Sequence, residues 1–266
     1  MTNTGNGAKI VVENFSDALC CRSVIFLKRV CSTNIVAGNL AKRGRNSAVI
    51  AAEQYGGMGS HGRRWESDIC GGLYMSLATC GVSRDISVQY SSIAAAVAVR
   101  RTVQRAAGIA ATVKWPNDLL LNGRKLCGIL SEAFWGKDGA EYLITGIGLN
   151  VNQRCGDFPP ELRGTATSLL IECGEEFGIK ALAYDIIKSV DEIFRELEER
   201  GAAGLIEEYS ANCCTLGKRI SVSDCGREIF RGMAEGLGAD GSLIVRGADG
   251  NVEEFNFGEV TNSEIQ

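Results

Sequence analysis

Between the apolar run Leu119-Leu120-Leu121 and Arg124-Lys125 stands Asn122-Gly123. A type I′ turn needs positive φ at both central residues, which asparagine and glycine tolerate, so this dipeptide marks a tight antiparallel hairpin. No other feature constrains the fold as much, because it sets a register as well as a turn. A two-residue loop pairs Leu121 with Arg124 and Leu120 with Lys125. Side chains alternate faces along a strand, which puts Asp118 on the face of Leu120 and makes Lys125 its diagonal neighbour at roughly 7–8 Å. Upstream, Thr112 to Trp115 reads as a short strand ending at Pro116, a residue unable to donate to a ladder. A lysine and a carboxylate therefore project together from a rigid ribbon. The plainer interpretation is a surface ion pair; the other is a charged site.

The 266 residues can bury a full core, as one large domain or a main domain with a small appendage. A hydrophobic content of 45% with 23% charged residues is that of an ordinary globular protein. The net charge of −4 offers no basic footprint for nucleic acid. No run approaches the roughly 20 apolar residues of a membrane span, and the polar start MTNTGNGAK lacks the shape of a signal peptide, so a cytoplasmic location is expected. The 11 cysteines are scattered, with vicinal pairs at Cys20-Cys21 and Cys213-Cys214 and no C-x-x-C spacing. They read as reduced thiols, and with His61 as the single histidine no structural metal is expected. Histidine-dependent triads are disfavoured everywhere except at His61.

Along the chain, an apolar strand is expected over 24–30, and Ser32-Thr33-Asn34 opens a helix through Ala41 with Gly44 as its stop. Ser32 or Thr33 suits an N-cap, a role compatible with offering free backbone N–H groups to a ligand. After a strand over 47–53 comes Gln54-Tyr-Gly-Gly-Met-Gly-Ser-His-Gly-Arg-Arg-Trp65, with four glycines within seven positions. Such a loop can wrap an anion with backbone N–H groups while arginines supply charge, although glycine-rich turns are common. A strand over 71–78 follows, then a helix over 87–107 whose Ile93, Ala94, Val97, Ala98 and Val103 form an apolar face; Arg100, Arg101 and Arg105 read as solvated. A strand over 141–145 runs into Gly146-Ile-Gly-Leu-Asn150, which invites close backbone approach or a bulged strand end. Helices are expected from Thr167-Ser168, over 179–200, and over 205–212. From Gly217 the texture changes to short alternating strands over 219–222, 228–237, 242–246 and 252–257, which predicts a small barrel beyond a boundary near 214–217.

Taken together these segments resemble the biotin protein ligases. The resemblance is carried by Ser32-Thr33-Asn34, by Gln54 with the loop closing on Gly62-Arg63-Arg64-Trp65, by Lys114-Trp-Pro-Asn-Asp118 with Lys125 and Gly128-Ile-Leu, and by Gly146-Ile-Gly-Leu-Asn150. Gly258-Glu259-Val260 resembles the end of the family's C-terminal barrel. It implies an α/β fold, a mixed sheet flanked by helices over 1–214, followed by an SH3-like barrel over 215–266. It also implies a two-step reaction. Biotin attacks the α-phosphorus of Mg-ATP to give biotinyl-AMP, and a lysine of a biotin carboxyl carrier domain then takes the acyl group. Lys125 matches the residue that contacts carboxylate and phosphate, with Asp118 to orient it or a magnesium ion. Ser32, Thr33, Asn34, Gln54, Gly57, Gly59 and Gly128 match the biotin pocket. Gly62, Arg63, Trp65, Lys114, Asn117 and Asn150 match positions expected around ATP and the adenylate.

The chain departs from the family at the loop, where G-R-G-R-x-G-R-x-W is usual and Met58 and Ser60 replace two arginines. Weaker ligand affinity or faster leakage of the adenylate is expected unless His61 or Arg64 compensates. Cys31 stands where an aspartate is frequent, without an assigned role. Two alternatives stay open: a lipoate or octanoate ligase of the same fold, and a catalytically weakened carrier-binding protein. About 30 residues precede Ser32, short for the winged helix-turn-helix of repressor relatives, so no DNA binding is expected. Homodimer formation is compatible with the sequence but not specified by it.

Overall fold

The computed structural model describes residues 11–17, 20–80, 87–135 and 141–262; the polar run at 1–10 lies outside them. The elements in order are β1 (Val11–Asp17), β2 (Cys20–Val30), α1 (Thr33–Ala41), β3 (Ser47–Gln54), β4 (Gly72–Cys80), α2 (Val88–Ala107), β5 (Thr112–Lys114), β6 (Asp118–Leu121), β7 (Arg124–Trp135) and β8 (Glu141–Asn150). They continue with α3 (Leu169–Cys173), α4 (Ile179–Arg200), α5 (Ala203–Ala211), β9 (Arg219–Asp224), β10 (Arg227–Leu237), β11 (Leu243–Gly247), β12 (Val252–Phe255) and β13 (Glu259–Asn262).

The first eight strands form one mixed sheet in the order β1-β2-β3-β4-β8-β7-β6-β5, in which β2 and β3 run parallel and every other neighbouring pair is antiparallel. Strand β1 and the first residues of β2 were not anticipated. A charged residue breaks the apolar pattern there: Arg22 is buried because it donates to Asp191 at 2.8 Å and to the Ala78 carbonyl at 2.6 Å. Such a group tolerates the interior only when paired and hydrogen-bonded.

Helix α1 covers one face, with Ala37 and Ala41 against Val49, Ala78 and Ile144. The other face carries α2 and α4, whose Ile93, Val97, Ile186 and Val190 join Leu73, Met75, Leu77, Ile147 and Leu149. Both helices follow the apolar period of the sequence. Helix α2 starts at an N-cap, Ser87, whose side chain accepts from the Tyr90 N–H, and ends at left-handed Gly108. Arg101, read as solvated, instead pairs with Glu208 and ties α2 to α5.

The remaining five strands form an antiparallel sheet in the order β12-β11-β10-β9-β13. It is SH3-like in strand number but open, since among the described residues β12 and β13 are unpaired edges. Its apolar side, including Ile220, Val222, Leu243 and Val245, is continuous with the core of the first sheet. Polar contacts complete the join: Trp115 donates from Nε1 to the Gly241 carbonyl at 3.1 Å and from its backbone N–H to Thr215 Oγ1 at 3.1 Å.

Candidate active site

Strand alternation puts Ser76 on β4, Gly146 and Gly148 on β8, and Gly128 and Glu132 on β7 on the α1 side of the sheet, opposite the Met75, Ile147 and Ile129 side. Glycines leave a trough in that face, and Ser32, Thr33 and Asn34 reach it from the start of α1. Ser32 holds the N-cap position, but its side chain makes no cap hydrogen bond. Thr33 presents its backbone N–H to Gln54 Oε1 at 2.8 Å, with its hydroxyl 3.0 Å from the same oxygen. Gln54 in turn donates to Ser67 Oγ at 3.2 Å, and Asn34 donates to Glu132 at 2.9 Å.

The hairpin forms with the anticipated register, Leu121 opposite Arg124 and Leu120 opposite Lys125. Beyond it lies a bulge at buried Leu126, so that Leu119 faces Cys127 and Asp118 faces Gly128. Lys125 uses this shift: its side chain crosses Gly128, where a Cβ would sit 3.4 Å from Nζ, and reaches Asp118 Oδ1 at 2.7 Å. The Lys125 backbone is fixed from outside the sheet, its N–H bonded to the Thr165 carbonyl at 2.7 Å and its carbonyl to the Thr167 N–H at 2.9 Å. Asn117 is held through its amide, which donates to the Ile129 carbonyl at 2.7 Å. The Cys127 thiol behind the ribbon is pushed far up, by burial first and by Asp118 second, so it is no nucleophile at neutral pH.

The glycine-rich loop folds back on itself. Met58 bridges to Arg64, the Trp65 N–H bonds to the Gly57 carbonyl at 3.0 Å, and a single turn at Ser60–Gly62 carries His61 and Gly62 at positive φ. Trp65 lies against Gly128 and Gly148; a Cβ on Gly148 would meet its indole at 2.5 Å. Its Nε1 is buried without a hydrogen-bond partner, and Lys125 Nζ stands 5.4 Å from the ring centre. Arg63 and His61 turn to Glu259 of β13, at 2.8 and 3.5 Å, while Arg64 turns to Asp68 at 2.9 Å. The two residues that could have stood in for the missing arginines are thus engaged elsewhere.

Two adjoining cavities result. The smaller, about 40 Å³, is bounded by Ser32, Thr33, Asn34, Gln54, Gly128, Gly146 and Gly148. The larger, about 380 Å³, is bounded by Arg63, Lys114, Asn150, Thr165 and residues Gly258 to Thr261. Gly59, Ser60, Trp65, Asn117, Asp118 and Lys125 border both. Of the residues singled out from sequence, Gly57 and Gly62 border neither. Gly57 is needed for packing, since a Cβ there would meet Ser67 Oγ at 2.3 Å, and Gly62 serves the turn at φ 71°. Sequence reading missed Ser67, Ser76, Glu132, Leu162, Thr165 and Ala166, and it named Glu259 only as part of the closing segment, without a site role. The only available signal was a polar residue inside an apolar strand, as at Ser76.

Among the described residues no three His, Cys, Asp or Glu side chains cluster to hold a metal. Asp118 offers one carboxylate, already engaged by Lys125. That fits an ion which keeps its waters and arrives on a phosphate, not an all-protein site.

Residues 27–150 match the biotin/lipoate A/B protein ligase family, and residues 215–261 match the biotin protein ligase C-terminal domain. A bifunctional ligase/repressor BirA of Bacillus spizizenii is 32% identical over 232 residues, covering 85% of this chain and 70% of that protein. A biotin–[acetyl-CoA-carboxylase] ligase of Paracoccus denitrificans is 31% identical over 84% of this chain and 94% of its own length. The structure of biotin protein ligase from Aquifex aeolicus in complex with biotin and ATP superposes with a TM-score of 0.77 at 26% identity, covering 90% of this chain and 99% of that one. The sheet, the hairpin, the glycine-rich loop and the second sheet therefore belong together by descent, and the chain is a member of the biotin/lipoate A/B protein ligase family, among its biotin protein ligases.

Proposed function

We propose that this chain adenylates biotin with ATP and passes the biotinyl group to a lysine of a biotin carboxyl carrier domain. The observation that carries the reading is the position of Lys125, on the border of both cavities and paired with Asp118 at 2.7 Å. A carboxylate is a poor acyl donor, and its mixed anhydride with AMP carries a good leaving group. Negative charge grows where the carboxylate meets the α-phosphorus, and a fixed ammonium there stabilises it without reorganising at the moment of reaction.

In this reading biotin's ureido ring occupies the pocket of Ser32, Thr33, Asn34 and Gln54, with Gly59 and Gly128 at its sides and its carboxylate towards Lys125. ATP takes the larger cavity beside Arg63, Trp65, Lys114, Asn117 and Asn150. Asp118 orients Lys125 and is the residue placed to meet a magnesium ion brought in on the ATP phosphates. The smaller cavity, at about 40 Å³, must widen to admit biotin, and Trp65, pressed on Gly128 and Gly148, is the group in the way. The carrier lysine then attacks the acyl carbon and AMP leaves.

Nine cysteines, Cys127 and Cys213 among them, are free thiols, in keeping with a reducing cytoplasm, and no described helix is long and apolar enough to cross a membrane. A net charge of −4 gives no electrostatic reason to assign DNA binding. Exchange of labelled pyrophosphate into ATP tests the reading: exchange that depends on biotin supports it. Exchange with lipoate alone, or none, overturns it.

A further inference from the structure

Around Thr33 the structure contains more close oxygen contacts than protons to fill them. Ser76, wholly buried on β4, has its hydroxyl 2.6 Å from Thr33 Oγ1 and 2.6 Å from Asn34 Oδ1; Thr33 Oγ1 is also 3.0 Å from Gln54 Oε1. The amide of Asn34 is fixed in orientation, because its nitrogen donates to Glu132 at 2.9 Å and a carboxylate only accepts. Its oxygen therefore faces Ser76, and a carbonyl oxygen cannot donate. The Ser76 proton must go to Asn34, and the Thr33 proton must go to Ser76. Two hydroxyl protons serve three contacts, which leaves the longest, between Thr33 Oγ1 and Gln54 Oε1, without one. Gln54 cannot supply it: its oxygen is held there by the Thr33 N–H at 2.8 Å, and its nitrogen is turned to Ser67. The relay crosses the sheet at Gly146, where a Cβ would come within 2.4 Å of Asn34 Oδ1.

We infer that Glu132 and Ser76 are specificity-determining positioning residues: through Asn34 they turn the Thr33 hydroxyl away from the pocket, so that Thr33 and Gln54 face it as a pair of acceptors for one ligand N–H. This rests on the assignment of that pocket to biotin, whose ureido ring supplies an N–H where the dithiolane ring of lipoate has none. Each end of the relay is chemically directional, because Glu132 accepts only and the ligand must donate. Replacing Glu132 by an amide removes the direction without removing bulk. The Asn34 side chain can then present either end, the Ser76 and Thr33 protons can reverse, and the Thr33 hydroxyl can point into the pocket against the ligand N–H.

The test is Glu132→Gln and Ser76→Ala in the full chain, measured by calorimetric biotin binding and by biotin-dependent pyrophosphate exchange, each repeated with biotin methylated on one or the other ureido nitrogen. A hydrogen bond of ordinary strength predicts a loss of about tenfold in biotin affinity, appearing in KM rather than kcat. For the wild type, methylation of the nitrogen facing Thr33 costs at least as much, and in both variants the preference for unmethylated over methylated biotin shrinks by about the same factor. Variants that bind more weakly yet keep the full wild-type preference show a structural effect and overturn the inference, as do variants that bind biotin like the wild type. A wild type that binds no biotin overturns the pocket assignment and the inference with it, and is told apart from the other outcomes by that measurement alone.

Discussion

Lys125 Nζ lies 2.7 Å from Asp118 Oδ1 and 5.4 Å from the centre of the Trp65 ring, with about a third of the lysine side chain exposed. An exposed pair of this kind contributes at most about 1 kcal/mol to stability, so its place on the cavity border matters for charge rather than for folding. Lys125→Ala is expected to lower biotin-dependent pyrophosphate exchange by about 10²- to 10³-fold, the cost of removing one preorganised stabilising donor, with little change in thermal midpoint. Asp118→Asn, which leaves the lysine in place but unpaired, is expected to cost less. Full exchange in Lys125→Ala removes the lysine from the chemistry.

Met58 is exposed, and the loop's remaining basic side chains are occupied, Arg63 by Glu259, which His61 also faces, and Arg64 by Asp68. The adenylate is therefore expected to escape more readily than it does once arginines are restored. In Met58→Arg/Ser60→Arg the release rate of biotinyl-AMP, followed with labelled ATP and no carrier present, should fall about tenfold or more, as a charge-assisted hydrogen bond implies. Equal rates in the two proteins dispose of this account of the loop.

Asp191 accepts from Arg22, and the two side chains are 11% and 4% exposed. Asp191→Ala leaves a guanidinium buried among the Ala78 carbonyl and Thr79 without its counter-charge, and should destabilise by about 3 kcal/mol in chemical denaturation. Replacing both members with apolar residues of similar size should recover most of that loss, which separates an unpaired charge from lost packing.

Tyr74 donates to the Ile69 carbonyl at 3.0 Å, and burial pushes its hydroxyl up to about 12. Unfolded, the same group titrates near pH 10. Below about pH 10 both states keep the proton and the contribution is complete; between roughly pH 10 and 12 the unfolded chain loses its proton first, so stability falls as pH rises. Tyr74→Phe should flatten that segment of the stability curve, as read by denaturant titrations at fixed pH.

Much of the fold was legible because its long helices and its hairpin obey short-range rules. Helix α4 begins and ends where its apolar period does, and Asn122-Gly123 dictates the pairing of Leu121 with Arg124. What escaped was set by distant partners. Arg22 hides the start of β2 until Asp191, from another element, is placed beside it. Ser76 acquires its meaning from Gly146, which sits across from it on β8, and from Asn34 on α1, none of which follows from its own neighbours LYMSLA. The bulge at Leu126 was likewise invisible, although it is what brings Lys125 over Gly128 to Asp118. Of the named site residues, Gly57 and Gly62 show the limit of carrying a motif over, because each glycine serves the shape of the loop instead of bordering a cavity.

The larger cavity is walled on one side by Gly59 to His61 and Arg63 to Glu66 and on another by Gly258 to Thr261. These walls are almost two hundred residues apart in the sequence. The trough of Thr33, Gln54 and Ser76 is built from elements up to β8, whereas the partner of Arg63 and His61 is supplied by β13. A chain truncated before β13 would keep the trough residues but lack Glu259 and the wall of the larger cavity that it forms.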